Sequence, residues 1–252
     1  MKKVGLLGCG NVGHIIAERC DGFVVTAVFD VDTRRAEEVA NLCGARVYPD
    51  FDRFLESDAD IIVEAASVAA VREYAQTILT KGKDIVILSV GALADEELRR
   101  GIEQLAAATD HRVYIPSGAI VGLDGLKTGE FANITRVVLR TTKNPASLGI
   151  ATNERMLVFK GTAADCIREF PKNINVAVAI ELASGVKAEV ELWADPAAIR
   201  NIHELTYEGE FGEVTITVRN NPSPDNPATS YLAALSILTL LRNLDRPLQI
   251  GT

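Results

Sequence analysis

The stretch "LLGCGNVGHIIAERC", residues 6–20, decides how the rest of the chain is read. Gly8, Gly10 and Gly13 form a G-x-G-x-x-G run between an apolar strand-like segment at 4–7 and a helix-like one at 12–20. Asp30 ends the next apolar run, 24–29. Strand, glycine turn, helix, strand and acid, in that order, are the context of a dinucleotide-binding fingerprint. Gly8 permits a sharp turn, Gly10 lets backbone approach a pyrophosphate, and Gly13 lets the helix sit close to the strand. The helix start, from Asn11 and Val12, offers free N–H groups and the positive end of a dipole to the phosphates. Asp30 is placed to accept from the adenosine ribose hydroxyls, which favours NAD, since a carboxylate there repels the extra phosphate of NADP. Arg34 and Arg35 either offset that repulsion, so that NADP is accepted too, or are solvated helix residues. The plain alternative for the whole run is a tight turn without a ligand.

Working outward, the first half alternates. Apolar runs of strand length fall at 4–7, 24–29, 46–48, 61–64, 85–88 and 113–115, with helix-like segments at 12–20, 33–43, 68–80 and 94–109. Such alternation predicts a parallel sheet covered on both faces. After Pro116 the rhythm changes. Longer runs of alternating polarity at 135–142, 187–193, 203–207 and 213–219 predict an antiparallel sheet, with a hairpin turn at 208–212. Residues 220–226 read as a proline-rich loop and 228–243 as one long helix. The expectation is an α/β chain: a Rossmann dinucleotide-binding domain over 1–118, with a C-terminal helix in 227–252 packing back on it. Residues 119–226 would form a second α+β domain with a mostly antiparallel sheet, serving substrate chemistry and oligomerisation.

The chain has 252 residues, 48% of them hydrophobic, and a net charge of −8. That is enough for two modest domains with full cores. The acidic balance argues against nucleic acid and anionic membrane as partners. Cys9, Cys20, Cys43 and Cys166 show no CxxC spacing and the three histidines are scattered, so no metal site is expected and a reducing cytoplasm fits. An apolar run already under way at residue 4 leaves no room for a signal peptide, and 231–241 is too short to span a bilayer. His14 reads as a helix-surface or packing residue and His111 as solvent-exposed in a polar turn.

Three later stretches carry polar residues suited to a site: "IPSGAIVGLDGL" (115–126), "FPKNINVAVAIELAS" (170–184) and "ADPAAIRNIHEL" (194–205). In the first, Gly118 and Gly122 allow close backbone approach, Ser117 supplies a hydroxyl, and the run follows the last strand of the nucleotide domain. In the second, Asn173 and Asn175 head an apolar helix-like run, where Asn173 serves a ligand or caps the helix. Lys172 offers positive charge to an anionic substrate or is simply solvated. In the third, His203 shares a strand face with Leu205 and Tyr207. It is either a satisfied histidine on a half-buried sheet or a proton shuttle for hydride transfer.

Taken together, "PSGAIVGLDGL", "FPKNINVA", "ADP…NIHEL" and "NPSPDNPATSYLAALSILTLLR" resemble the L-aspartate dehydrogenase family over essentially the whole chain, as do "EAAS" (64–67) and "LSVGAL" (88–93). The resemblance implies oxidation of L-aspartate with NAD or NADP to iminoaspartate, which hydrolyses to oxaloacetate and ammonia or feeds pyridine nucleotide biosynthesis. It implies His203, in the N-x-H motif, as the catalytic histidine. It implies cofactor contacts at Ala119 and at Asn173 or Asn175, beside the glycine loop and Ala65, Ala66 and Ser67. Ser117, Lys172 and Asn201 are the candidates for the substrate. An open sheet in the second domain suggests a homodimer. Rival expectations are a dihydrodipicolinate-reductase-like enzyme, whose paired-histidine and lysine signature is missing before Pro116, a homoserine dehydrogenase, and an NAD-sensing module without turnover.

Overall fold

The computed structural model describes residues 1–170, 175–223 and 226–250. They make two compact units, Met1–Pro116 with Ala234–Ile250, and 117–233.

The first unit begins β1 (Lys3–Leu7), α1 (Asn11–Glu18), β2 (Val24–Phe29), α2 (Thr33–Cys43), β3 (Arg46–Val47) and α3 (Phe51–Leu55). It continues β4 (Ile61–Glu64), α4 (Val68–Thr80), β5 (Asp84–Ile87), α5 (Glu96–Thr109) and β6 (Val113–Tyr114). The strands form one parallel sheet in the order β3-β2-β1-β4-β5-β6. Val4, Leu6, Ile61, Ile62, Val63, Ile85 and Val86 are fully buried, as continuous apolar strands covered on both faces require. The sheet order reverses between β1 and β4, so the loops leaving their C-terminal ends diverge and open the crevice where ligands bind in such sheets. The short α3 is absent from the sequence reading. Asp50 caps it by accepting from Arg53 N at 2.9 Å, and its Phe54 is fully buried near Phe29, Tyr48 and Phe51.

The second unit holds α6 (Leu123–Leu126), β7 (Ile134–Lys143), α7 (Pro145–Leu148), β8 (Met156–Thr162), α8 (Ala163–Glu169), α9 (Asn175–Ser184), β9 (Glu189–Ala194), β10 (Asn201–Gly209) and β11 (Gly212–Asn220). Its sheet runs β11-β10-β7-β9-β8. Three pairings are antiparallel and one, β7 with β9 at the centre, is parallel, so the sheet is mostly antiparallel as expected. The parallel pair reflects β8: it intervenes in the chain but pairs outside β9, at the sheet edge. A correction concerns 220–230. Instead of a loop running into a helix, β12 (Pro222–Ser223) pairs antiparallel with β13 (Asn226–Ser230), and α10 begins only at Tyr231, ending at Leu244. Ala234, Ile237 and Leu241 form the buried face of α10, in the first unit. Among the described residues no helix is long and apolar enough to cross a membrane.

Candidate active site

The glycine loop joins β1 to α1. Gly8 has φ +102°, and a Cβ on it would lie 2.8 Å from Ala65 and Ala66 backbone, so only glycine allows the β1 and β4 loops to pass this closely. A Cβ on Gly13 would run into the Gly8 carbonyl oxygen. Gly10 differs: a Cβ there would meet nothing within 4 Å, and as N-cap of α1 it makes no side-chain cap bond. Two glycines are thus demanded by packing, while the third leaves open space at the start of α1. That cradle fits a pyrophosphate.

Asp30 stands just past β2. One carboxylate oxygen accepts from Cys9 N at 2.7 Å and the other from Asp32 N at 2.8 Å. It therefore braces the glycine loop, and each oxygen keeps a second lone pair for a ribose hydroxyl. Arg34 and Arg35 both lean on Asp32, at 3.7 and 3.5 Å.

Glu64 ends β4 with no exposed surface. Its carboxylate accepts from Ala66 N at 2.8 Å, Ser89 N at 2.9 Å and Ser89 Oγ at 2.9 Å, clamping the loops after β4 and β5 together. Burial pushes its pKa up, while the bonds from Ser89 and Ala66 pull it down. Ser67 caps α4 through Ala70 N at 3.2 Å. The sequence reading names this stretch only as a pattern; that a charged side chain is wholly buried there becomes visible only with the fold.

In the second unit the sheet has one buried face. Val137 and Leu139 of β7 and Leu205 and Tyr207 of β10 make its apolar part. Toward the end formed by the C-terminus of β7 and the N-terminus of β10, the same face turns polar. Thr141 stands opposite His203, and Asn201 opposite Asn220. Lys143 and Asn201 lie two residues further along their strands and so on the same side. Thr141, Lys143, Asn201, His203 and Asn220 are all buried. Thr141 Oγ1 lies 2.9 Å from His203 Nδ1, and Asn220 Nδ2 donates to the Ala119 carbonyl at 2.8 Å. The 115–126 run packs on this unit's sheet: a Cβ on Gly122 would strike Ile216, and one on Gly125 the Tyr207 hydroxyl.

Burial holds the His203 imidazole neutral, its pKa down to about 3, with the Lys143 charge adding to the effect. Burial also lowers Lys143, to about 8. Of the other candidates, Ser117 is half-buried and Asn175 is exposed at the start of α9, while Lys172 and Asn173 lie outside the described residues. His111 is not simply exposed: its Nδ1 sits 3.2 Å from Asp84 Oδ1. His14 Nδ1 lies 3.7 Å from Glu18 on the same helix. Lys143, Thr141 and Asn220 escaped the sequence reading. Their signal was the polar residues that close β7 and β11, which acquire meaning only once strand pairing is known. Among the described residues no three His, Cys, Asp or Glu side chains gather to hold a metal.

Comparison with known proteins bears on both units. The family described as "Homoserine dehydrogenase, NAD binding domain" matches residues 4–116, and "Aspartate dehydrogenase, C-terminal" matches 124–244. An L-aspartate dehydrogenase of Methanospirillum hungatei is 58% identical, with both chains covered in full. This chain belongs to the L-aspartate dehydrogenase family. Another member, from Methanothermobacter thermautotrophicus, is 44% identical over all of this chain and 99% of its own. The crystal structure of aspartate dehydrogenase from Thermotoga maritima superposes with a TM-score of 0.83 at 31% identity, covering both chains completely. Its family membership makes the chain an oxidoreductase with a nicotinamide-binding domain.

Proposed function

We propose that the protein catalyses NAD-dependent oxidative deamination of L-aspartate to iminoaspartate, with His203 as general base. The observation that carries this is the buried imidazole, neutral and tied through Nδ1 to Thr141. The substrate ammonium must lose a proton before the C=N bond forms, and His203 Nε2 is assigned to take it. Bound NAD supplies the hydride acceptor for the hydrogen leaving Cα. A base of pKa about 3 is weak, but that value belongs to an imidazole buried beside a cation. The carboxylates of a substrate next to it stabilise the imidazolium and restore basicity. General-base help of this kind contributes roughly 10²–10⁴-fold. The released iminoaspartate hydrolyses to oxaloacetate and ammonia or enters pyridine nucleotide biosynthesis.

On this reading Gly8, Gly10, Asn11, Val12, Gly13, Asp30, Ala65, Ala66, Ser67, Ala119 and Asn173 or Asn175 serve the cofactor, held mainly by the first unit. A preference for NAD is supported by the Asp30 carboxylate, which would repel the extra phosphate of NADP, and by both neighbouring arginines being engaged with Asp32. Asp30→Ala narrows the gap between NAD and NADP; a preference that does not move refutes the assignment. Four free thiols support a reducing, cytoplasmic setting, and the open edges of the second sheet support a homodimer, which light scattering would report. The decisive experiment mixes the full chain with NAD and L-aspartate at alkaline pH and follows NADH, with other amino acids as controls. Turnover confined to L-aspartate is expected. NAD binding without turnover of any amino acid would overturn the proposal.

A further inference from the structure

Asn220 closes β11, and its side chain reaches a residue 101 positions earlier in the chain. The residue is 4% exposed, and its Nδ2 donates to the Ala119 carbonyl at 2.8 Å. Ala119 sits in a tight turn. Ile120 N donates to the Ser117 carbonyl at 3.3 Å, and Gly118 has φ +66° whereas Ala119 does not share that conformation. A left-handed first central residue is a place for glycine. Such a turn pairs the carbonyl of its first residue with the amide of its fourth and leaves the carbonyl of its third without a partner. Asn220 supplies the missing donor.

The place of this turn matters on two counts. It follows directly on β6, whose C-terminal end lies on the same edge of the parallel sheet as the glycine loop. Ligands of such sheets bind beyond that edge. The turn is also referenced to the strand pair that carries the imidazole. Asn220 stands opposite Asn201 in register, and Asn201 is two residues from His203 on the same face of β10. Downstream of the turn the run stays on β11: Ile120 is fully buried, and Gly122 is packed against Ile216. Apolar packing thus fixes where the run lies, while the Asn220 amide fixes which way the Ala119 peptide faces.

We propose that Asn220 is a positioning residue: through the Ala119 carbonyl it holds the peptide that meets the nicotinamide end of the cofactor in register with His203. This rests on the cofactor contact at Ala119 proposed above. Hydride acceptor and base are then both set from β10 and β11, whose mutual register is fixed by the ladder between them. An amide is required at position 220. An ionised carboxylate of the same shape has no hydrogen to donate and would set two acceptors against each other.

The test compares the full-length protein with Asn220→Asp and Asn220→Ser, using NADH and ADP-ribose as probes. ADP-ribose is the cofactor without its nicotinamide ring. Asn220→Asp weakens NADH binding by about tenfold or more, while ADP-ribose binding stays where it was. The kcat for L-aspartate falls by about 10²-fold, as a misplaced reacting centre requires. Asn220→Ser, uncharged but too short to reach the carbonyl, shows the same split and serves if Asn220→Asp does not fold. A folded variant with a lower melting temperature and unchanged NADH affinity would make Asn220 a packing residue and overturn the inference. Equal weakening of NADH and ADP-ribose overturns it too. Should neither variant fold, equal protection of the 117–120 amides from hydrogen exchange by the two probes in the unsubstituted protein overturns it as well. NAD binding without aspartate turnover, by contrast, strikes the proposed function; the comparison of NADH with ADP-ribose needs no turnover and would still report on Asn220.

Discussion

Glu64 in the first unit and His203 with Lys143 in the second are buried to a similar depth, yet they are handled in opposite ways. The Glu64 carboxylate is met by two backbone amides and a hydroxyl from its own and the neighbouring loop. His203 and Lys143 are two bases at the polar end of one buried sheet face, and burial works against the charged form of each. An anion whose acceptor capacity is filled by the protein is a fastener. It holds two loops in one arrangement and has little left for a ligand. An imidazole that burial keeps neutral is instead able to take up a proton when an anion arrives beside it. Similar depth therefore marks architecture in one place and, on the proposed reading, chemistry in the other.

The contrast breaks most visibly at His203. His203→Ala should lower kcat by about 10²–10⁴-fold while NAD binding persists, read by NADH formation and by cofactor titration. Unchanged turnover would return His203 to a mere packing role. The same variant has a signature without substrate. The native imidazole, at about 3, refuses a proton that the unfolded chain takes up near the ordinary 6.5, so stability falls as pH drops through that window. The variant should lose this part of the slope in denaturant titrations.

The effect expected at Glu64 is smaller and of another kind. Glu64→Gln turns an amide donor toward Ser89 or Ala66 donors and should cost about 1–3 kcal/mol of stability, seen as a lower denaturation midpoint. NAD affinity should weaken with it, since the clamped loop adjoins the glycine turn, while the KM for L-aspartate stays put. A midpoint that does not shift would mean that the clamp is dispensable. Smallest is Thr141→Val, which removes the partner of His203 Nδ1. A loss of about 0.5–1.5 kcal/mol corresponds to at most about a tenfold fall in kcat, with cofactor binding intact. A kcat that does not fall would show that the imidazole needs no tether.

What could be read in the chain itself follows the reach of each signal. The glycine loop declares itself because turn, close approach and helix start are all local demands, and β1, β2, β4 and β5 because parallel strands are apolar throughout. The edge strand β8 did not, since Met156 and Leu157 are exposed and only Phe159 is buried. The strand before α10 is not legible because no glycine or proline separates Ala228–Ser230 from Tyr231, so nothing local marks the change from strand to helix. His203 stood out by its motif. Thr141 and Lys143 did not, because their meaning depends on which strand lies beside β7, a choice made sixty residues away. Glu64 lay in plain view, but burial is a property of the fold and not of the letters around it.

The order in which the chain is made adds a consequence of its two-part layout. Residues 1–116 leave the ribosome first, yet Ala234–Ile250, which complete that unit with Ile237 and Leu241 buried, come after everything in the second unit. Domains generally fold as units during synthesis. Here the half built first is finished last, so the nascent nucleotide-binding sheet waits, with the surface later covered by α10 still bare, until the second unit has been translated.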